Sequence, residues 1–223
     1  MLSLKNLKIT LKSDSTNVVI EFANFELSAG EIVSISGANG SGKSSLLSAI
    51  MSHPDYEIVD GEILLDNLNI SKYSTGEKAA LGIFLASQFV PQIEGLTLIQ
   101  LLHKALRTEA SILELNKMMT QYCYRFNIDK AFLGRDLNVG LSGGEKKQAM
   151  LLSLLALRPL YCILDEPDSG LDIEGVDRLI NVIQYLNNNY NIAFVIVSHS
   201  GAMLGRLNII RNYKIENKCL TMI

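Results

Sequence analysis

Apolar and polar residues alternate over residues 2–11 and again over 18–27, the period of strands with one covered face. The polar cluster at 13–17 between them predicts a turn, so the two runs form an antiparallel pair. Residues 31–36 predict a short strand that meets a glycine-rich turn at Gly37, and 43–51 predict a helix. Further strand-like runs lie at 61–66 and 83–87, the second ending at Gln88. From about Phe89 to Gly140 the character changes, and 98–106 and 112–126 carry apolar residues at helical spacing. Beyond them, 143–157 predict a helix, 160–164 a buried strand, 173–187 a helix and 192–198 a strand almost free of polar residues.

Strands alternating with helices predict an α/β fold with a mostly parallel sheet flanked by helices. To this the pattern adds an N-terminal antiparallel β subdomain and an inserted helical subdomain. We expect one domain over residues 1–223, with 1–88 and 141–223 as catalytic core and 89–140 as the helical subdomain. No apolar run reaches the roughly 18–20 residues of a membrane-spanning helix, because the richest stretch is broken by Arg158 and Pro159. Nor does the start of the chain carry a leader-like pattern, so the expected address is the cytoplasm, with no direct membrane insertion. A net charge of −3 with dispersed Lys and Arg offers no field for nucleic-acid phosphates. Cys123, Cys162 and Cys219 are distant in sequence, form no C-x-x-C pair and read as small buried hydrophobes, the alternative being a metal site shared with a partner chain through Cys123 or Cys219.

Residues Gly37, Ala38, Asn39, Gly40, Ser41, Gly42, Lys43 and Ser44 fit the pattern G-x-x-x-x-G-K-[ST] between a predicted strand and a predicted helix. Backbone N–H groups can wrap a triphosphate only where side chains do not intervene, which Gly40 and Gly42 permit. The helix that follows, with Ser45 in its first turn, points a pole of roughly +0.5 elementary charge at the phosphates. Lys43 adds a cation for the β- and γ-phosphate oxygens, and Ser44 a hydroxyl for Mg2+. ATP with Mg2+ is the expected ligand pair. A kinase, a GTPase, a motor or a transport ATPase could each use such a loop.

Asp165 and Glu166 end an apolar strand, which puts them at the carboxyl edge of the sheet beside the loop. Asp165 is placed to orient Mg2+, and Glu166 to polarise the water that attacks the γ-phosphate. Leu141-Ser142-Gly143-Gly144-Glu145 opens a helix with two glycines and a hydroxyl. As a capping box it needs only Ser142 and Glu145, whereas Gly143 and Gly144 cost up to about 1 kcal/mol each against better helix formers. An anion that requires bare backbone accounts for them.

With these residues the chain resembles the ABC ATPase family over essentially its whole length, as a P-loop NTPase of that type. The resemblance implies that Ser142, Gly143 and Gly144 reach, in trans, ATP held by a second copy, in an ATP-dependent homodimer. It implies that Gln88 touches Mg2+ and the attacking water and that Asp172, within Ser169-Gly170-Leu171-Asp172, lies at the dimer interface. His199, after Val197-Ser198, is implied as the histidine beside the γ-phosphate. Catalytic residues would be Glu166, His199 and Gln88, with Mg2+ held by Ser44, Gln88 and Asp165.

Within the family, Gly143-Gly144-Glu145-Lys146-Lys147 and Asp168-Ser169-Gly170-Leu171-Asp172 resemble the SufC group, ATPases of iron–sulfur cluster assembly. That resemblance implies a scaffold partner like SufB or SufD, moved by ATP-driven dimerisation. The alternative is the ATPase subunit of a membrane importer.

Overall fold

The computed structural model describes residues 1–87, 91–106 and 110–223. The chain opens with strands β1 (Leu2–Leu11), β2 (Asp14–Leu27) and β3 (Ile32–Gly37), then helix α1 (Lys43–Ile50). Next come β4 (Tyr56–Leu65), β5 (Leu68–Asn69), α2 (Thr75–Ala80) and β6 (Ile83–Ala86). A more helical stretch follows: β7 (Ile93–Thr97), α3 (Leu98–Leu106), α4 (Ile112–Arg125), β8 (Asp136–Leu137) and α5 (Gly143–Leu157). The chain closes with β9 (Tyr161–Asp165), α6 (Ile173–Tyr190), β10 (Ala193–Val197), α7 (Gly201–Leu204), β11 (Ile209–Glu216) and β12 (Cys219–Met222). These elements form two compact units. One is Met1–Ser87, Pro159–Pro167 and Asn187–Ile223, and the other is Gln88–Arg158 with Asp168–Leu186.

The first unit is built on a ten-stranded sheet of order β5-β4-β1-β2-β12-β11-β3-β10-β9-β6 among the described residues. Strands β11, β3, β10, β9 and β6 pair in parallel, while β1, β2, β4 and β5 pair antiparallel. The predicted N-terminal pair is present, but its turn is tighter than the polar cluster suggested: Leu11 pairs with Asp14, leaving only Lys12 and Ser13 to reverse the chain. Asp14 accepts hydrogen bonds from the Thr16 amide (3.0 Å) and hydroxyl (2.6 Å), so polar residues are satisfied locally while the backbone stays extended.

The C-terminal hairpin β11–β12 has no counterpart in the sequence reading. It joins the two halves of the sheet, β11 running beside β3 and Cys219 and Leu220 of β12 pairing with Phe22 and Ala23 of β2. Under this sheet lies a core in which Leu46, Leu47, Ala49 and Ile50 of α1 pack with Leu2, Ile9, Ile20, Val33, Ile35, Ile163 and Val195. Burying an aliphatic side chain of this size contributes about 1.5–3 kcal/mol, which fixes the amphipathic α1 against the strands.

In the second unit α3, α4 and α5 pack on one another and β7 pairs with β8. Ser111 and Glu114 close a capping box at the start of α4. Tyr122 of α4 and Phe126, the C-cap of that helix, meet Tyr185 at ring distances of 6.0 and 5.3 Å, and the Arg125 guanidinium lies 4.1 Å from the Tyr185 ring centre. Helix α5 ends at Arg158, which takes a left-handed conformation (φ 44°) ahead of Pro159 and donates to the Tyr122 hydroxyl at 2.7 Å.

All three cysteines are free thiols. Cys123 and Cys162 are buried as expected, and burial pushes the Cys123 thiol up to about 11. Cys219 departs from that expectation: it is only half-buried, because it pairs with Phe22 on the solvent-facing side of the sheet. No helix of the described residues is long and apolar enough to cross a membrane.

Gly61 is the glycine of β4 that the fold most plainly demands. Its φ is 80°, and a Cβ there would sit 2.4 Å from the carbonyl oxygens of both Lys5 and Asn6, where the β1–β4 register shifts. Gly61→Ala is expected to lower unfolding free energy by more than about 2 kcal/mol. Gly76→Ala, where a Cβ meets nothing within 4 Å, should stay within about 0.5 kcal/mol of the parent. Urea denaturation of the two variants checks both.

Candidate functional site

Three parallel strands end level with one another. Ile35 of β3 stands beside Val197 of β10, and Val197 beside Asp165 of β9. The segments that follow them therefore leave the same sheet edge as neighbours: the loop from Gly37, the pair Asp165–Glu166 and the turn through Ser198 and His199.

After β3 the chain turns through Gly37, Ala38, Asn39, Gly40, Ser41 and Gly42 into α1. The φ angles of Gly37, Gly40 and Gly42 are 153°, 75° and 101°. A Cβ on Gly37 would lie 2.7 Å from Ser41 Oγ and 2.8 Å from the Ile215 carbonyl oxygen, and one on Gly42 3.0 Å from Ile20 Cδ1. On Gly40 a Cβ would meet nothing within 4 Å. Gly37 and Gly42 thus answer close packing, while Gly40 answers a left-handed backbone on the open side of the loop.

Ala38, Asn39 and Gly40 are exposed, and the Ser41 amide closes the turn on the Ala38 carbonyl at 3.1 Å. Lys43 is buried, its Nζ donating to the carbonyls of Gly37 (2.9 Å) and Ala38 (3.0 Å), so the ammonium is strung across the loop. Ser44 is exposed and Ser45 half-buried in the first turn of α1. Gly42 supplies no side-chain cap and no acidic residue occupies that turn, so α1 brings no carboxylate of its own to the helix start.

Asp165 is buried at the end of β9. Glu166 follows in a left-handed conformation (φ 48°), its amide pinned to the Val197 carbonyl at 2.9 Å. For a non-glycine residue that backbone costs about 1–2 kcal/mol. The bend brings the Glu166 carboxylate to 3.6 Å from His199 Nε2. Ser198, to which sequence reasoning gave no separate task, is buried and accepts from the Ser200 amide at 2.9 Å, tying down the turn that carries His199. Only its place between a buried strand and a histidine could have drawn notice to it.

In the second unit Ser142 is the N-cap of α5. Its hydroxyl accepts from the Glu145 amide (3.4 Å), its own amide donates to the Glu145 carboxylate (2.7 Å), and Arg135 holds that carboxylate at 3.1 Å. Hydrogen bonds from Ser142, chiefly its backbone, pull the Glu145 pKa below the ordinary carboxylate range. A Cβ on Gly143 would meet nothing within 4 Å, and one on Gly144 would touch only Leu171 Cδ2 at 4.0 Å. Packing among the described residues therefore does not require either glycine. Asp172 caps α6, its carboxylate accepting from the Gly175 amide at 2.8 Å. Gln88, the remaining sequence-predicted site residue, lies outside the described residues.

Comparison with known proteins gives consistent findings. The family profile described as "ABC transporter" matches residues 20–169. A Synechocystis protein named "Probable ATP-dependent transporter" is 37% identical over 89% of this chain and 80% of its own length. An "Iron-sulfur cluster assembly protein SufC" of Plasmodium falciparum is 35% identical over 92% of this chain and 60% of its own length. Among solved structures, a dimeric post-hydrolysis state of an ATP-binding cassette bound to ADP and Pi superposes with a TM-score of 0.81. It is 24% identical, over 99% of this chain and 96% of the other, which shows the likeness of fold.

The bent backbone at Glu166 generates a prediction. Asparagine tolerates the left-handed conformation better than glutamate, so Glu166→Asn should match or exceed the parent's stability, by up to about 1 kcal/mol, while losing turnover. Thermal denaturation and a phosphate-release assay, run side by side, check the two halves of that expectation.

Proposed function

The chain belongs to the ABC transporter family and is an ATP-hydrolysing cassette of that family, and from that premise we propose that it is the ATPase subunit of an iron–sulfur cluster assembly complex. In this reading it works in the cytoplasm on a scaffold resembling SufB or SufD. The observation that carries the proposal is the likeness to SufC across 92% of the chain, together with the motif strings at 143–147 and 168–172.

The site geometry supports a division of labour. The triphosphate lies along Gly37 to Ser45, where amide groups and the start of α1 meet its charge. Lys43, already held by loop carbonyls, exchanges them for the β- and γ-phosphate oxygens. The exposed Ser44 hydroxyl and the buried Asp165 carboxylate are oxygen donors of the kind Mg2+ takes, with Gln88 as the third proposed ligand. When bound, Mg2+ draws negative charge from the phosphates. Glu166 orients and polarises a water whose oxygen bonds to the γ-phosphorus as the bond to the ADP oxygen breaks, releasing ADP and phosphate. His199, beside Glu166, positions the γ-phosphate.

The bare glycines at 143 and 144 support action in trans. Their open N-terminal turn suits an anion supplied by a second copy, so two chains would enclose two ATP molecules, each contact made twice, with Asp172 at the same interface. ATP binding would then close the pair and its hydrolysis release it, moving whatever scaffold both copies hold.

Glu166→Gln is expected to bind ATP as the parent does while lowering phosphate release by about 100-fold or more. Adding a purified SufB/SufD-like scaffold should raise the parent's turnover. Equal turnover with and without scaffold, or recovery of an integral membrane permease as the partner in pull-down, would replace this reading with that of an importer subunit.

A further inference from the structure

Lys78 is wholly buried in the first unit, at 0% exposure, and has no task in the site described above. Its Nζ donates to the carbonyl oxygen of Ile50, the last residue of α1, at 2.7 Å. Two further hydrogen bonds join the same stretches. The Thr75 hydroxyl donates to the carbonyl of Met51, the C-cap of α1, and the Ser52 hydroxyl to the carbonyl of Tyr73, each at 2.7 Å. The short helix α2 and the residue run before it are thus stitched to the back of the helix whose front carries the phosphate loop.

An ammonium is a costly way to fill such a space. Burial alone pulls its pKa from 10.5 to about 8, which leaves it cationic at neutral pH, and no carboxylate among the described residues forms an ion pair with it. An apolar side chain would fill the volume without that penalty. What the cation adds is a charge against the terminal carbonyls of α1, at the negative pole of the helix. The helix is eight residues, about 12 Å, so its far pole lies close behind the loop where Lys43 stands.

We propose that Lys78 is a positioning residue for nucleotide binding: by neutralising and fixing the C-terminal end of α1, it holds the loop at the other end in its phosphate-receiving arrangement. The proposal rests on the reading of Gly37 to Ser45 as the triphosphate site. Lys78 touches no part of the ligand and acts through the helix. A displaced or softened α1 would weaken ground-state and transition-state binding alike, which raises KM and spares kcat.

The test compares Lys78→Met and Lys78→Arg with the parent for MgATP binding by calorimetry and for steady-state hydrolysis, at a temperature where all are folded by circular dichroism. Lys78→Met should raise both Kd and KM about fivefold, with kcat kept within about twofold. Lys78→Arg, which retains a cation and donors despite its bulk, should stay near the parent. Should Lys78→Met not fold, the shorter neutral Lys78→Gln takes its place. Unchanged KM in the neutral variant, or equal damage in the neutral and arginine variants, would overturn the proposal and leave Lys78 a packing residue. Lys43→Ala is the separate arm: intact MgATP binding there would remove the nucleotide-site reading itself, whereas lost binding there with unaltered KM in the Lys78 variants removes only the present inference.

Discussion

The candidate site depends on one constraint, the parallel register that brings β3, β10 and β9 to a common end. Hydrogen bonds between parallel strands set Ile35, Val197 and Asp165 abreast, and every side chain proposed to handle the triphosphate within the first unit follows from that line. Of these, β9 and β10 are almost wholly apolar and buried along their whole length, so a slip of register would expose core residues and is strongly opposed. Polar chemistry is thereby gathered at the strand ends and just beyond them, where the chain first becomes free to turn.

At that edge the fold accepts local costs. Glu166 sits in a left-handed conformation, Lys43 holds a buried charge against two carbonyls, and Lys78 holds another behind the same helix. Each would be relieved by an ordinary residue, and each lies on or behind the loop and carboxylates proposed to bind ATP. The large aliphatic core beneath α1 offsets these penalties, so the site can be strained while the sheet stays firm.

The start of α5 shows how one sequence can satisfy two demands. Ser142 and Glu145 close a capping box, steadied by Arg135, and this alone secures the helix end. Gly143 and Gly144 add nothing to that box and meet little in their own chain, so they lower helix stability without a return inside the unit. The capping residues answer folding, and the glycines answer the partner copy proposed to face them.

Much of this was legible from residue order. The loop at 37–44, the acidic strand end, the capping box with its two glycines at 142–145 and most of the strand and helix order depend on local spacing, and local spacing is what a sequence records directly. Tertiary structure decided the rest. The C-terminal hairpin β11–β12 became the joint of the sheet because its partners, β3 and β2, lie at the other end of the chain, and no periodicity within 209–222 names them. The half-burial of Cys219, the tight reversal at Lys12 and Ser13 and the approach of Glu166 to His199 likewise arise from pairings across distance. So does the reach of Lys78 to Ile50: in the sequence it is one lysine among many, and only packing reveals that it ends against the back of the phosphate-loop helix. Local pattern determines which segments can become strands, helices and loops, whereas burial and register, which are properties of the assembled chain, determine which of their side chains meet.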